Sequence, residues 1–389
     1  MPAFILYLNM EKIIACLCSL LLSGNLMETY AQFTQQQHYY LAVGTYTKNQ
    51  SNGVFIYEFD AKNGELAPVA TTDNISDPSY LTFNSDGTKI YSVGERKNGS
   101  VFSFDFNNKT GAISLINKQN IDGDSPCYIS LSKDEKHILV ANYSSGSISI
   151  LPLNTDGSVA PLSQLIAHKG NSINQERQKA PHAHSIINSP SGSHVYAADL
   201  GADKIFAYAY DPLLEKPLQK AQQQFINTKP GSGPRHFIFN KQGTYAYLIG
   251  ELDASITVYS YNGTELKDIQ HIEMNLPDFK GVNGAADIHL SQDGKFLYAS
   301  NRGSANEIVI FKVDDKNGKL HRIASQSCLG KSPRNFVIDP TDNFLLAANQ
   351  DSDSIVIFKR NKKNGLLTPT GKVMNVGAPV CLKFTPKMK

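Results

Sequence analysis

Tryptophan is absent from the 389 residues, so no repeat whose units each carry a Trp-Asp dipeptide can be present. Cysteine is scarce. Two of the five, Cys16 and Cys18, lie in an N-terminal apolar segment, leaving Cys127, Cys328 and Cys381 far apart. An odd number at wide spacing makes no disulfide framework, and the lack of a Cys-x-x-Cys or Cys/His cluster gives no zinc signature. Charge of one sign is also missing: 37 basic against 35 acidic residues leave a net +2, which gives no support to nucleic-acid binding. The only long apolar run, residues 13–22, falls short of the roughly 20 residues a bilayer-spanning helix needs. Neither a Gly-rich phosphate loop nor a Gly-x-Ser-x-Gly nucleophile elbow occurs, and no cofactor is expected.

What is present is strand material. Tyr (18) and Phe (19) suit half-buried strands, and 28 Gly with 18 Pro supply many turns. Residues 1–31 are set apart from the fold. Lys12 precedes the apolar run, and Thr29-Tyr30-Ala31 ends in a small residue, as in a secretory signal with Met10 as a possible start. The alternative is a buried or disordered leader. A signal predicts export to the periplasm or beyond the cell; without one the chain would stay in the cytoplasm. Residues 32–389 are then expected to form one domain.

That domain is built from repeats. A small residue and usually Pro, then strand, turn and strand, recurs as DPSYLTFNSDGTKIYSVGER (77–96), SPCYISLSKDEKHILVANYS (125–144) and HAHSIINSPSGSHVYAADLG (182–201). It returns as GPRHFIFNKQGTYAYLIGEL (233–252), AADIHLSQDGKFLYASNRGS (285–304) and SPRNFVIDPTDNFLLAANQD (332–351). An alternating third strand follows each copy, such as SITVYSY (255–261), and then a poorer fourth. Four short strands about every 50 residues describe a propeller blade. The seventh copy is divided: APVCLKFTP (378–386) is the first half and YYLAVGTY (39–46) the second. The expected fold is therefore all-β, a seven-bladed β-propeller closed by strands from both termini, which leaves no open sheet edge.

Equivalent positions of successive blades should ring the central channel. One ring holds Ser79, Cys127, His184, Arg235, Ala286, Arg334 and Val380. The other holds Glu95, Tyr143, Leu200, Glu251, Arg302, Gln350 and Thr45, and both rings should lie at one mouth. His184, Arg235, Arg334, Glu251 and Arg302 are costly choices for a purely structural wall, because buried charges must be paired or solvated. Singly, each has a plainer reading. Arg235 and Glu251 share a hairpin and could be an intrablade ion pair. His182 and His184 could be a loop pair; two His with no carboxylate or Cys companion make a weak metal signal. His236 and His289 follow strand alternation and could be satisfied strand histidines, and Glu95-Arg96 could be a surface turn. Convergence of these groups on one mouth favours a functional site.

The segments GPRHFIFN…YAYLIGEL, AADIHLSQDGKFLYASNR and SPRNFVIDPTDNFLLAANQDSDSI resemble the 6-phosphogluconolactonase family of seven-bladed propellers, which also includes fungal carboxy-cis,cis-muconate cyclase. The likeness runs over essentially all of residues 32–389. It implies a hydrolase of carbohydrate metabolism acting on a small-molecule sugar lactone. It also implies His184, Arg235, Glu251 and Arg302 as catalytic residues, with His182 the less certain match beside His184. His182, His236, His289, Arg334, Glu95 and Gln350 complete the expected substrate-binding set. These residue types suit lactone opening: His184 or Glu251 as general base, and Arg235 and Arg302 as permanent cations for an oxyanion, a carboxylate or a phosphate, with no metal required. A muconate-cyclase-like enzyme or a non-catalytic ligand-binding propeller would use the same charged mouth. An export signal would favour a lactone other than a cytosolic phosphorylated one.

Overall fold

A computed structural model describes residues 38–47 and 52–386; the expected signal, residues 1–31, lies outside the described residues. Seven four-stranded antiparallel sheets follow one another along the chain. Their innermost strands are Leu81–Phe83, Pro126–Leu131, Ala183–Asn188, Pro234–Phe239, Ala285–Leu290, Pro333–Ile338 and Pro379–Phe384, which define blades one to seven in that order. In blades one to six the strands run outward in chain order. In blade seven the innermost strand comes from the C-terminal end and pairs with His38–Thr45, with Leu41 opposite Phe384 and Gly44 opposite Cys381. The expected closure by strands from both ends is thus the one observed.

Period-2 alternation sends apolar side chains into the spaces between blades, and the core lies there. One cluster joins Tyr247, Ile256 and Val258 of blade four to Leu297, Val309 and Phe311 of blade five. Another joins Tyr298, Ile308 and Ile310 to Phe336, Leu345 and Phe358 of blade six. Truncating a fully buried ring such as Phe358 to Ala would cost about 3–5 kcal/mol. A polar clamp also recurs between blades. The Gln164, Gln223 and Gln270 side chains each accept from and donate to one backbone residue of the next blade, respectively Leu218, Leu266 and Leu320. Asn117 grips Val159 in the same way. Each clamp satisfies the backbone N–H and carbonyl of one residue of the next blade.

The feature that shapes the site is a β-bulge near the start of the innermost strand. The register slips between Pro126 and Tyr128, Ala183 and Ser185, Pro234 and Phe237, Ala285 and Ile288, and Pro333 and Asn335. In blade seven the slip lies opposite Gly44 and Thr45. An extra residue at a bulge re-aims the side chains around it. Two consecutive residues, such as Arg235 and His236, can therefore both face the channel.

The three described cysteines are unpaired and buried. Among the described residues, no helix is long and apolar enough to cross a membrane.

Candidate active site

The mouth is organised around Glu251, which directly follows the second strand of blade four, Tyr245–Gly250. Arg235, on the adjacent innermost strand, donates from Nε to Glu251 Oε2 at 2.8 Å. Arg302 of blade five places Nη2 3.1 Å from the same oxygen. Arg177 reaches Oε1 at 2.8 Å from the loop before blade three. His184 Nε2 stands 3.9 Å from Oε2. The structure thus brings together His184, Arg235, Glu251 and Arg302. The hairpin ion pair of Arg235 and Glu251 is present too, as one edge of a larger cluster.

Local sequence sets these positions. Gly233 adopts φ +65° just before the strand that carries Arg235, and a Cβ there would meet Leu252 and Leu200. The carboxylate of Asp203 holds this turn by accepting from the N–H of Gly231 and Gly233 at 2.6 and 2.8 Å. Gly201 lets the chain pass so close to Ala180 that a Cβ would lie 1.8 Å from its carbonyl oxygen. Beside it, His182 donates its backbone N–H to Asp199 and stacks on Tyr143 at 4.5 Å between ring centroids.

Charge fixes protonation. Burial pushes the Glu251 carboxyl up, but Arg302 and Arg235 outweigh it and hold the group well below its ordinary 4.5. Burial, reinforced by Arg235, drives His184 well below 6.5, so its imidazole is neutral at physiological pH. Burial draws Arg302 down to about 10, which still leaves it cationic. Cys127 Sγ lies 3.7 Å from His184 Nδ1, an arrangement reminiscent of a Cys–His nucleophile. Burial raises that thiol instead of lowering it, so it remains protonated and inert.

The other expected residues divide. Glu95 accepts from the Tyr46 hydroxyl at 3.0 Å, and Arg334 lies over the Tyr46 ring at 5.3 Å. Burial raises the Glu95 carboxyl above its ordinary value despite Arg334. His182 borders the cluster through Tyr143. His236 sits directly beneath Arg235, its ring 5.6 Å from that of His184. Tyr80 and Tyr128 stack at 4.3 Å, and His236 meets them edge-on at 5.8 and 5.3 Å. These three rings, from the innermost segments of blades one, two and four, pack against one another beside Arg235. His289, two residues beyond the bulge position Asp287, pairs with Asp287 at 2.9 Å. Gln350 begins the short helix Gln350–Ser352, and its amide donates to Asp351.

Arg177, Tyr46, Tyr143 and Asp287 are additional channel or mouth groups. Arg177 also donates to the Tyr143 hydroxyl at 2.9 Å, and 42% of its side chain is exposed. Tyr143 already stood in the second ring of equivalent positions. Arg177 lies outside the repeat, so no equivalence could point to it.

Residues 40–384 match the family described as lactonase, 7-bladed beta-propeller. A 6-phosphogluconolactonase of Bacillus subtilis is 35% identical over 347 residues, covering 88% of this chain and 97% of its own. Among solved structures, a putative 6-phosphogluconolactonase from Bacteroides fragilis is 39% identical with a TM-score of 0.86, covering 90% of this chain and 99% of that one. The periplasmic gluconolactonase of Pseudomonas aeruginosa is 38% identical with a TM-score of 0.87, at the same coverage of both chains.

Proposed function

Because the chain belongs to the seven-bladed β-propeller lactonase family, we propose that it hydrolyses the ring ester of a sugar lactone at the mouth built around Glu251. The observation that carries this reading is the contact of three guanidiniums with one carboxylate beside a neutral, buried histidine.

In this reading His184 is the general base. Both Glu251 oxygens are taken up by Arg177, Arg235 and Arg302, and the group is held ionised, which leaves it little proton affinity. Water attacks the lactone carbonyl as its proton passes to His184 Nε2. The carbonyl oxygen becomes an oxyanion stabilised by Arg302, which is 16% exposed, and by Arg177. Collapse breaks the ring C–O bond, and His184 returns the proton to the departing alkoxide. The product is a hydroxy acid, which releases its carboxyl proton to solvent. Glu251 prevents the cations from splaying apart without itself accepting a proton.

Four mouth arginines, 177, 235, 302 and 334, face two glutamates, 95 and 251. The excess of cations suits an aldonolactone that carries a phosphate or develops a carboxylate. We further propose that the chain is exported after removal of residues 1–31. A neighbour described as periplasmic supports this, as does the charge and apolar pattern of residues 12–31.

The test is hydrolysis of glucono-δ-lactone and its 6-phosphate, followed by acid release, with H184A and R302A as controls. Turnover lost in both variants supports the site. Full turnover in both would remove it, and no turnover by the unmodified protein would remove the lactonase reading. The mass of the exported protein's N-terminus tests the signal.

A further inference from the structure

Arg235 is the most deeply buried of the mouth cations, and its guanidinium has three supports. Nε donates to Glu251, Nη1 donates to the Ala286 carbonyl, and Nη1 also lies 3.4 Å from His236 Nε2. The third contact is attractive only if His236 Nε2 is bare, since an N–H there would oppose the guanidinium's own N–H. What decides the tautomer is the other ring nitrogen. His236 Nδ1 lies 2.7 Å from Asp287 Oδ1. An ionised carboxylate only accepts, so Nδ1 must carry the proton and Nε2 the lone pair. Asp287 is in turn held by several donors: His289 Nε2 at 2.9 Å, the Asn335 amide, and the N–H groups of Phe336 and Ile288 at 3.2 and 3.0 Å. Its side chain is almost wholly buried beneath the mouth.

We propose that Asp287 is a positioning residue for the mouth site: by accepting the Nδ1 proton of His236 it turns the Nε2 lone pair to Arg235, and so fixes the guanidinium that holds Glu251 beside His184. The chain Asp287–His236–Arg235–Glu251 runs from blade five to blade four and begins on the bulge positions of both. Its effect on turnover rests on the lactonase reading; the tautomer does not.

Several charged or titratable groups face His236. Arg235 comes from its own strand, Asp287 from blade five, His184 from blade three, Lys383 from blade seven, and Tyr80 and Tyr128 from blades one and two. Burial first, then Arg235 and Lys383, favour the neutral ring over the pull of Asp287, and together they bring it down to about 4. Protonation puts an N–H at Nε2, so the support for Arg235 is lost as pH falls through that value.

The test compares H236Q with H236F. The Gln carbonyl can accept from Arg235 but does not titrate; Phe fills the site with no acceptor. H236Q should keep kcat at pH 7 within about tenfold of the unmodified enzyme. H236F should lose about 100-fold in kcat at every pH, with KM changed less than threefold; because it also takes a donor from the buried Asp287, it should melt lower, and the rates are read well below its own transition. D287A should match H236F if it folds, and the two His236 variants decide the matter if it does not. A loss in H236Q as large as that in H236F, or full kcat in H236F, overturns the proposal. If the unmodified protein hydrolyses no lactone, the lactonase reading fails alone. The nitrogen chemical shifts of labelled histidine then decide the proposal: Nδ1–H with a bare Nε2 supports it, and Nε2–H overturns it.

Discussion

Arg235 Nε lies 2.8 Å from Glu251 Oε2, with only 2% and 9% of the two side chains exposed. Removing one partner of a buried pair leaves the other uncompensated, typically at about 3–5 kcal/mol. E251Q leaves three cations without their shared anion. It should lower kcat at least 100-fold and reduce the melting temperature by several degrees. The pH dependence has a definite sign. The Glu251 carboxyl is depressed in the fold, so its stabilisation is complete above about 4.5 and is lost as pH falls toward the lower folded value. Acid unfolding followed by circular dichroism should therefore be shallower in E251Q.

Glu95 should behave in the opposite way. Burial raises its carboxyl in the fold, so protonation is favoured there, and stability is lost as pH rises through the folded value. E95Q should melt at or above the temperature of the unmodified protein at pH 7. A marked fall in melting temperature at that pH would show that the ionised form is the one the fold needs.

Arg177 is half-exposed and borne on a loop, so it adds little to stability. R177A should shift the melting temperature by less than about 2 °C while lowering kcat about tenfold, as loss of an oxyanion donor should, and raising KM for a phosphorylated lactone about tenfold. That increase should shrink as salt is added, because exposed charge is screened. Equal KM in both proteins at low salt would remove Arg177 from substrate binding.

A neutral His184 predicts the acid side of the rate profile. Burial and Arg235 hold it well below 6.5, so kcat/KM should stay flat from pH 7 to pH 5.5. A single-proton step near 6.5 would indicate a hydrated, unperturbed imidazole. C127S should retain most of the activity, since the thiol is protonated and serves only as a neighbour of His184.

Ring closure can be tested by truncation. Deleting residues 378–389 removes the innermost strand of blade seven and the 2.7 Å bond from the Leu382 N–H to Asn335 Oδ1. It leaves the partner strand His38–Thr45 with an unpaired edge. The truncated chain should aggregate on expression or melt without cooperativity; a cooperative transition at the original temperature would show that closure is dispensable.

The repeat made most of the architecture readable. Glu251, Arg235 and Arg302 were visible because they break a pattern that six neighbouring segments define. What escaped lies where the pattern stops applying. Arg177 belongs to residues 168–182, a connection with no counterpart against which it could stand out. Asp287 was hidden by strict alternation, which does not anticipate a bulge that turns consecutive residues toward the channel. Gln350 was placed at the mouth by equivalence with Glu251, but a helical turn at Gln350–Ser352 carries its side chain to Asp351. His289 lies in the expected strand and turns to Asp287, a partner that alternation alone does not reveal.

Those three rings also bear on kinetics. A channel open at both ends could admit a lactone on one side and discharge its acid on the other. Tyr80, Tyr128 and His236 crowd together beneath the mouth, and on the proposed reading the mouth should then serve both entry and exit. On the proposed reading the newly formed carboxylate would leave past the same arginines that draw in the next lactone, and added product acid should act as a competitive inhibitor in initial-rate assays.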